Sequence, residues 1–202
     1  MTASTDTLYM RRAIALARRG ILDTSPNPMV GCVIVADGRI IGEGYHRRCG
    51  EGHAEVNAMA SVSPSDRHLL PRATVYVTLE PCSHYGKTPP CAKLLIDSGV
   101  RRVVVGCGDP NAKVNGRGVA MLRDAGIEVV EGVLEEECRA VNPKFMCAFS
   151  QGRPYVTLKW AQSIDGYMDV ARTPVQPAFR FSSPLTSTLV HRLRATHDAI
   201  LV

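Results

Sequence analysis

Hydrophobic positions along the chain repeat with two periods that alternate. Met10, Ala13, Ile14 and Ala17 recur at i, i+3, i+4 and i+7, which predicts an amphipathic helix over roughly 6–20. The two prolines of Ser25-Pro26-Asn27-Pro28 make the next stretch loop. An apolar run at 30–36, the hairpin signal Asp37-Gly38 and a returning segment at 39–46 predict two antiparallel strands. A helix then starts near His53, and a run of β-formers predicts a strand at 73–79. Pro90 opens a further helix that Gly99 closes, the usual proline-start and glycine-end asymmetry. A strand at 101–106, a helix to about Ala125 with Gly126 as its cap, and a strand at 127–130 complete the pattern. A hairpin followed by alternating helices and strands predicts an α/β fold, a mixed sheet covered by helices on both faces.

The pattern changes near residue 150. Ser150-Gln151-Gly152-Arg153-Pro154 reads as a linker, followed by a strand at 155–160, a helix around 187–196 and a nascent strand at Ala199. The expected division is a domain at 1–149 and a linker plus second segment at 150–202. About 50 residues are too few to build both a core and a cofactor site. Residues 153–202 are therefore expected to pack on the first domain or to be poorly ordered.

Composition narrows the class. The chain has 202 residues, 45% apolar and 21% charged, which is ordinary globular usage and excludes a disordered acidic tail, a collagen repeat and a coiled coil. No apolar run approaches the roughly 20 residues a membrane helix needs. The N-terminal arginines fall inside the helical pattern, so that stretch reads as a structural helix and not as a signal peptide. A cytoplasmic protein is expected, its seven cysteines reduced or bound to metal. The net charge of +5 is mild, and Arg11, Arg12, Arg18 and Arg19 on one solvated helix face account for much of it. No Lys/Arg tract interleaves with aromatics, so neither nucleic acid nor membrane is expected as a partner, and an anionic small molecule fits better. A homo-oligomer is compatible with the sequence but not required by it.

Three segments carry candidate chemistry: Gly52-His53-Ala54-Glu55 at a helix start, Pro81-Cys82 after a strand, and Cys91 at the next helix start. One imidazole and two thiolates make a soft tetrahedral site with one position open for water, the pattern of catalytic rather than structural zinc. Water on zinc is acidic enough to supply hydroxide near neutral pH. Glu55, two residues past the histidine, is placed to shuttle a proton from attacking water to a leaving amine. This is the arrangement of the zinc nucleobase deaminases. The plainer reading treats each piece alone: His-x-Glu is common by chance, and a buried cysteine is often a small hydrophobe. Cys49, four residues before His53, is a rival ligand, better read as a free loop thiol.

The second cysteine arrives as C-x8-C, and the stretch TLEPCSHYGKTPPC closely resembles the deaminase domain of the RibD family of bifunctional riboflavin-biosynthesis proteins. The likeness runs through PNPMVGCVIV, GEGYHRRCGEGHAEVNA, GDPN and NGRG, covering about residues 6–149. The resemblance implies the three-layer α/β/α cytidine-deaminase fold and hydrolytic loss of the 2-amino group of 2,5-diamino-6-ribosylamino-4(3H)-pyrimidinone 5′-phosphate. It implies that His53, Cys82 and Cys91 bind one Zn2+, that Glu55 is the proton shuttle, and that Asn27, His46, His84, Lys87 and Asn111 contact substrate. The residues themselves agree in part, since His84 and Lys87 lie in the insert and can donate to a sugar phosphate. Asn27 alone would pass as a turn residue. Gly116-Arg117-Gly118 before a helix suggests a phosphate nest, but so short a motif more often marks a tight turn.

From Arg153 onward, RPYVTLKWAQSIDG and LVHRLRATHDAILV resemble the opening of the same family's dihydrofolate-reductase-like, NADPH-using domain. Arg194 is the substrate-phosphate candidate there, against the plainer reading of a solvated helix arginine. Where many relatives carry a tryptophan near the nicotinamide, this chain has Phe179-Arg180-Phe181. With the segment incomplete, the 202 residues are expected to deaminate but not to consume NADPH. Two rival readings stand. A cytosine or tRNA-adenosine deaminase would typically show C-x2-C. A structural zinc module would need four protein ligands and no Glu55.

Overall fold

The computed structural model describes residues 3–85, 89–112 and 114–202. The chain divides into two compact units, Met1–Tyr155 and Val156–Val202. In the first, helix α1 (Ala3–Ala17) buries Met10, Ala13, Ile14 and Ala17, the same positions that the helical period marks. Strands β1 (Gly31–Ala36) and β2 (Arg39–Tyr45) form the antiparallel hairpin. Asp37 and Gly38 both take positive φ, as a two-residue turn matched to strand twist requires. Helix α2 (Ala54–Ser61), strand β3 (Thr74–Leu79), helix α3 (Cys91–Asp97), strand β4 (Arg102–Cys107), helix α4 (Arg117–Asp124) and strand β5 (Glu128–Glu131) follow.

The sheet order is β2-β1-β3-β4-β5, with β1 antiparallel to both neighbours and β3, β4 and β5 parallel. Alternate residues of each strand serve two cores. Cys32, Ile34, Val75, Val77, Val103 and Val105 face α2, α3 and α4, while Val33, Val35, Tyr76 and Val104 face α1 and two C-terminal helices. Those helices are α5 (Glu135–Val141) and α6 (Pro143–Gln151). The result is the expected three-layer α/β/α mixed sheet.

Several expectations need correction. The apolar pattern of Cys138, Val141, Met146 and Cys147, all buried, builds α5 and α6, which the sequence reading left unassigned. The expected linker therefore begins inside a helix. Pro143 stands at its first turn and Gly152 ends it in the left-handed conformation, so Ser150 and Gln151 are helical. Residues 64–72, also unassigned, form a 3-10 segment. Further along, 155–160 and Ala199 are not strands. A strand needs a partner for its backbone groups, and among the described residues of Val156–Val202 none pairs with them. Helix α7 (Pro184–Ala195) does form, its end capped by Ser183 Oγ accepting from Thr186 N at 3.2 Å.

Candidate active site

Topology brings the site together at one edge of the sheet. Because β1 runs antiparallel to β2 and β3, the segment entering β1, the segment leaving β2, and the segments leaving β3 and β4 all emerge at the same end. These carry Asn27, His46, Cys82 and Asn111 respectively. Helix α2 adds His53 and Glu55 by lying directly on β2. A Cβ at Gly44 would collide with the backbone of Ala54 and Ala58, so only glycine permits that approach.

His53 is the N-cap residue of α2, Cys82 follows β3, and Cys91 opens α3 after Pro90. His53 Nδ1 lies 3.6 Å from Cys82 Sγ and 3.4 Å from Cys91 Sγ, and the three ligand atoms are all within 4.8 Å of one another. A tetrahedral zinc with Zn–N about 2.0 Å and Zn–S about 2.3 Å sets its nitrogen and sulfur donors about 3.5 Å apart. The observed spacings bracket that edge, and the donor set is soft, so these residues fit a zinc ion. Cys91 N donates to Cys82 Sγ at 3.2 Å. Hydrogen bonding from the Cys91 thiol, then from His53 and this N–H, pulls the Cys82 thiol well below its ordinary value; sharing with Cys82 and burial push Cys91 up. Cys49 is exposed and stands outside the donor group, as its reading as a free loop thiol expected.

Glu55 is 3% exposed on the first turn of α2. Burial, and secondarily the negative Cys82, push its carboxyl up to about 6. His46 is buried with both ring nitrogens engaged: Nδ1 lies 3.2 Å from Gly52 O and Nε2 lies 3.3 Å from Asn27 Nδ2. Those partners fit a neutral ring with its proton on Nδ1, and burial lowers its pKa accordingly. The His46 ring meets His53 edge-on at 5.4 Å. His84 is exposed in the insert, Asn111 is half-buried after β4, Lys87 lies outside the described residues, and Arg194 is exposed on α7 in the second unit.

Two residues that the sequence reading passed over help to build this edge. Asn57 Nδ2 donates to Tyr45 O at 2.8 Å and Gly52 O at 3.0 Å, tying α2 to the segment that carries His46 and His53. Glu80, at the end of β3, accepts backbone N–H groups from the segment after β4. A charge closing the apolar run Thr-Val-Tyr-Val-Thr-Leu was the available signal. No helix among the described residues is long and apolar enough to cross a membrane.

Residues 3–107 match the family model described as the cytidine and deoxycytidylate deaminase zinc-binding region. The chain belongs to that deaminase family. Residues 154–202 match the RibD C-terminal domain, and the chain is RibD-like along its whole length. It is 45% identical to the riboflavin biosynthesis protein RibD of Aquifex aeolicus over 100% of its residues and 55% of that protein. Acinetobacter baumannii RibD superposes with a TM-score of 0.88 at 44% identity, over 96% of this chain and 53% of that one. A Thermotoga maritima diaminohydroxyphosphoribosylaminopyrimidine deaminase/5-amino-6-(5-phosphoribosylamino)uracil reductase gives 0.84 at 43% identity, over 95% and 53%. The chain spans about half the length of the curated relatives it matches.

Proposed function

We propose that residues 1–149 form a zinc-dependent deaminase of riboflavin biosynthesis. Its substrate is 2,5-diamino-6-ribosylamino-4(3H)-pyrimidinone 5′-phosphate and its product 5-amino-6-ribosylamino-2,4(1H,3H)-pyrimidinedione 5′-phosphate. The carrying observation is that one imidazole and two thiols from three elements converge at tetrahedral spacing, with a buried carboxyl on the same helix turn as the imidazole. His53, Cys82 and Cys91 would hold the ion, whose Lewis acidity makes water ionisable near neutral pH. Glu55 takes a proton from the attacking water and returns it to the departing nitrogen. The C–O bond forms first, the C–N bond then breaks as the nitrogen takes the proton from Glu55 and leaves as ammonia, and the remaining hydroxyl proton passes to the ring nitrogen to give the dione.

Asn27, His46, His84, Lys87 and Asn111 are the residues that contact the substrate. For His46 a direct contact means giving up Asn27, so in the resting state it orients that amide. Past Gln151, where α6 ends, the chain carries a linker and the opening of a reductase domain, in which Arg194 meets the substrate phosphate and in which NADPH would supply hydride once the domain is complete. The location is cytosolic.

The test is turnover of the diaminopyrimidine phosphate with cytidine as control. Ammonia release from the first and not the second is expected. Preference for cytidine would overturn the substrate.

A further inference from the structure

Glu80 closes β3 two residues before Cys82, and the proposed chemistry does not use it. Its side chain is 5% exposed, and its oxygens sit among four backbone donors. Oε1 accepts from Gly118 N at 2.9 Å and Val119 N at 3.3 Å, while Oε2 accepts from Gly116 N at 2.9 Å and Asp109 N at 3.4 Å. A buried carboxylate without such donors is costly. The first N–H groups of a helix in turn have no acceptor inside it and favour a negative charge. Each side of this joint satisfies the other. Gly116, left-handed at φ 77°, curls the backbone so that its N–H groups converge. The anion that Gly116-Arg117-Gly118 invites is thus already present as the protein's own side chain.

The joint is also tight in van der Waals terms. A Cβ at Gly118 would collide with the carbonyl oxygen of Pro81, so the first turn of α4 rests on the Pro81-Cys82 peptide. The segment leaving β4 is thereby fastened at both ends to the approach of Cys82. Along it, Asn111 N donates to Asp109 Oδ1 at 2.8 Å.

We propose that Glu80 is a positioning residue: by gathering the N–H groups of Asp109, Gly116, Gly118 and Val119, it fixes the backbone on both sides of Asn111 against Pro81-Cys82 and so sets where Asn111 meets the substrate. This rests on the deaminase reading above. Small displacements of a binding group weaken capture before they touch the proton chemistry of Glu55.

The test has two arms on the full chain. Hydrogen exchange reads the joint without activity. The amides of Gly116, Gly118 and Val119 are expected to be protected in the native protein and to exchange about 100-fold faster in Glu80→Gln. Exchange as fast as in an open turn in the native protein overturns the proposal, and needs no variant. Kinetics reads the function. Glu80→Gln and Gly118→Ala, which break the joint from opposite sides, should each raise KM for the diaminopyrimidine phosphate about tenfold, with kcat within about threefold and zinc content unchanged. Glu80→Gln/Asn111→Ala should be no worse than Asn111→Ala alone. An unchanged KM, or losses that multiply, overturns it, because a merely structural role lowers stability and the active fraction without moving KM. An inactive native protein with protected amides instead counts against the deaminase reading, so the two failures look different.

Discussion

Where β4 and β5 begin, Asp6 of α1 is gripped by a cation. Arg102 donates to both of its oxygens at 2.8 and 2.9 Å, Tyr76 Oη donates at 2.9 Å, and Arg102 also reaches Glu128. Where β3 and β4 finish, Glu55 is just as buried, but its neighbours are two thiols and an imidazole. The same sheet therefore lowers one carboxyl and raises the other. The first arrangement satisfies a charge and ties a helix to the sheet. The second leaves the protonation of Glu55 finely balanced, a cost that a packing residue has no reason to carry. On the proposed function, the two ends of the sheet divide between holding the fold and doing chemistry.

Removing a donor from the reactive end should have the largest effect. His53→Ala or Cys82→Ser is expected to take zinc from about one ion per chain to none and to abolish turnover, as metal analysis beside the deamination assay would read. Full activity in rigorously metal-free protein would break the comparison at that end. Glu55→Gln should keep the ion yet lose about 10²–10⁴-fold in kcat, since an amide cannot cycle a proton. Its unfolding midpoint should hold or rise, because burial already disfavours the charged carboxyl and an amide removes that cost. Turnover near that of the native protein would remove Glu55 from its role.

How much of this was legible in the sequence differs between the two ends. The donors sit at strand-to-helix junctions marked by proline and by the change of period, so His53, Cys82, Cys91 and Glu55 could be placed together from pattern alone. The clamp was invisible. Asp6 and Arg102 stand 96 positions apart, and no local rule joins a first-turn acid of one helix to the first residue of a distant strand. Glu80 was missed although a charge closing an apolar run marked it, since its partners are backbone N–H groups, which that charge alone does not name. The second unit shows the converse failure. The β-formers at 155–160 have strand propensity, but propensity makes a strand only where a neighbour supplies the ladder.

The quiet end should answer in stability alone. Asp6→Asn removes the negative charge and replaces one of the two oxygens that Arg102 donates to with an NH2 group, and breaking a buried pair of this kind costs about 3 kcal/mol. Denaturant unfolding should show a lower midpoint at unchanged slope, while kcat and KM per folded molecule stay as in the native protein. A change in kcat would mean that the clamp reaches the donor cluster, and the division between the ends would fail.

The smallest effect sharpens the comparison through pH. Burial alone would raise the Asp6 carboxyl, but the hydrogen bonds from Arg102 and Tyr76 and the charge of Arg102 outweigh it, and its pKa lies below the ordinary carboxylate value. A group depressed in the folded state stabilises above its unfolded pKa, about 3.9 for Asp, and that contribution is lost as pH falls through the folded value. The native protein should therefore lose stability on acidification below about pH 4 more steeply than Asp6→Asn does, a difference smaller than the neutral-pH loss in that variant. Exposed pairs such as Arg39–Asp66, at 2.7 Å, carry the same sign, so the difference between the two proteins, not the native slope, isolates Asp6. Salt separates them further: with side chains only 13% and 7% exposed, Arg102–Asp6 should keep its contribution at ionic strengths that screen Arg39–Asp66. Unfolding midpoints at pH 3 and pH 7, in low and high salt, measure it. Parallel acid slopes for the two proteins would show that the clamp holds no pH-dependent stability.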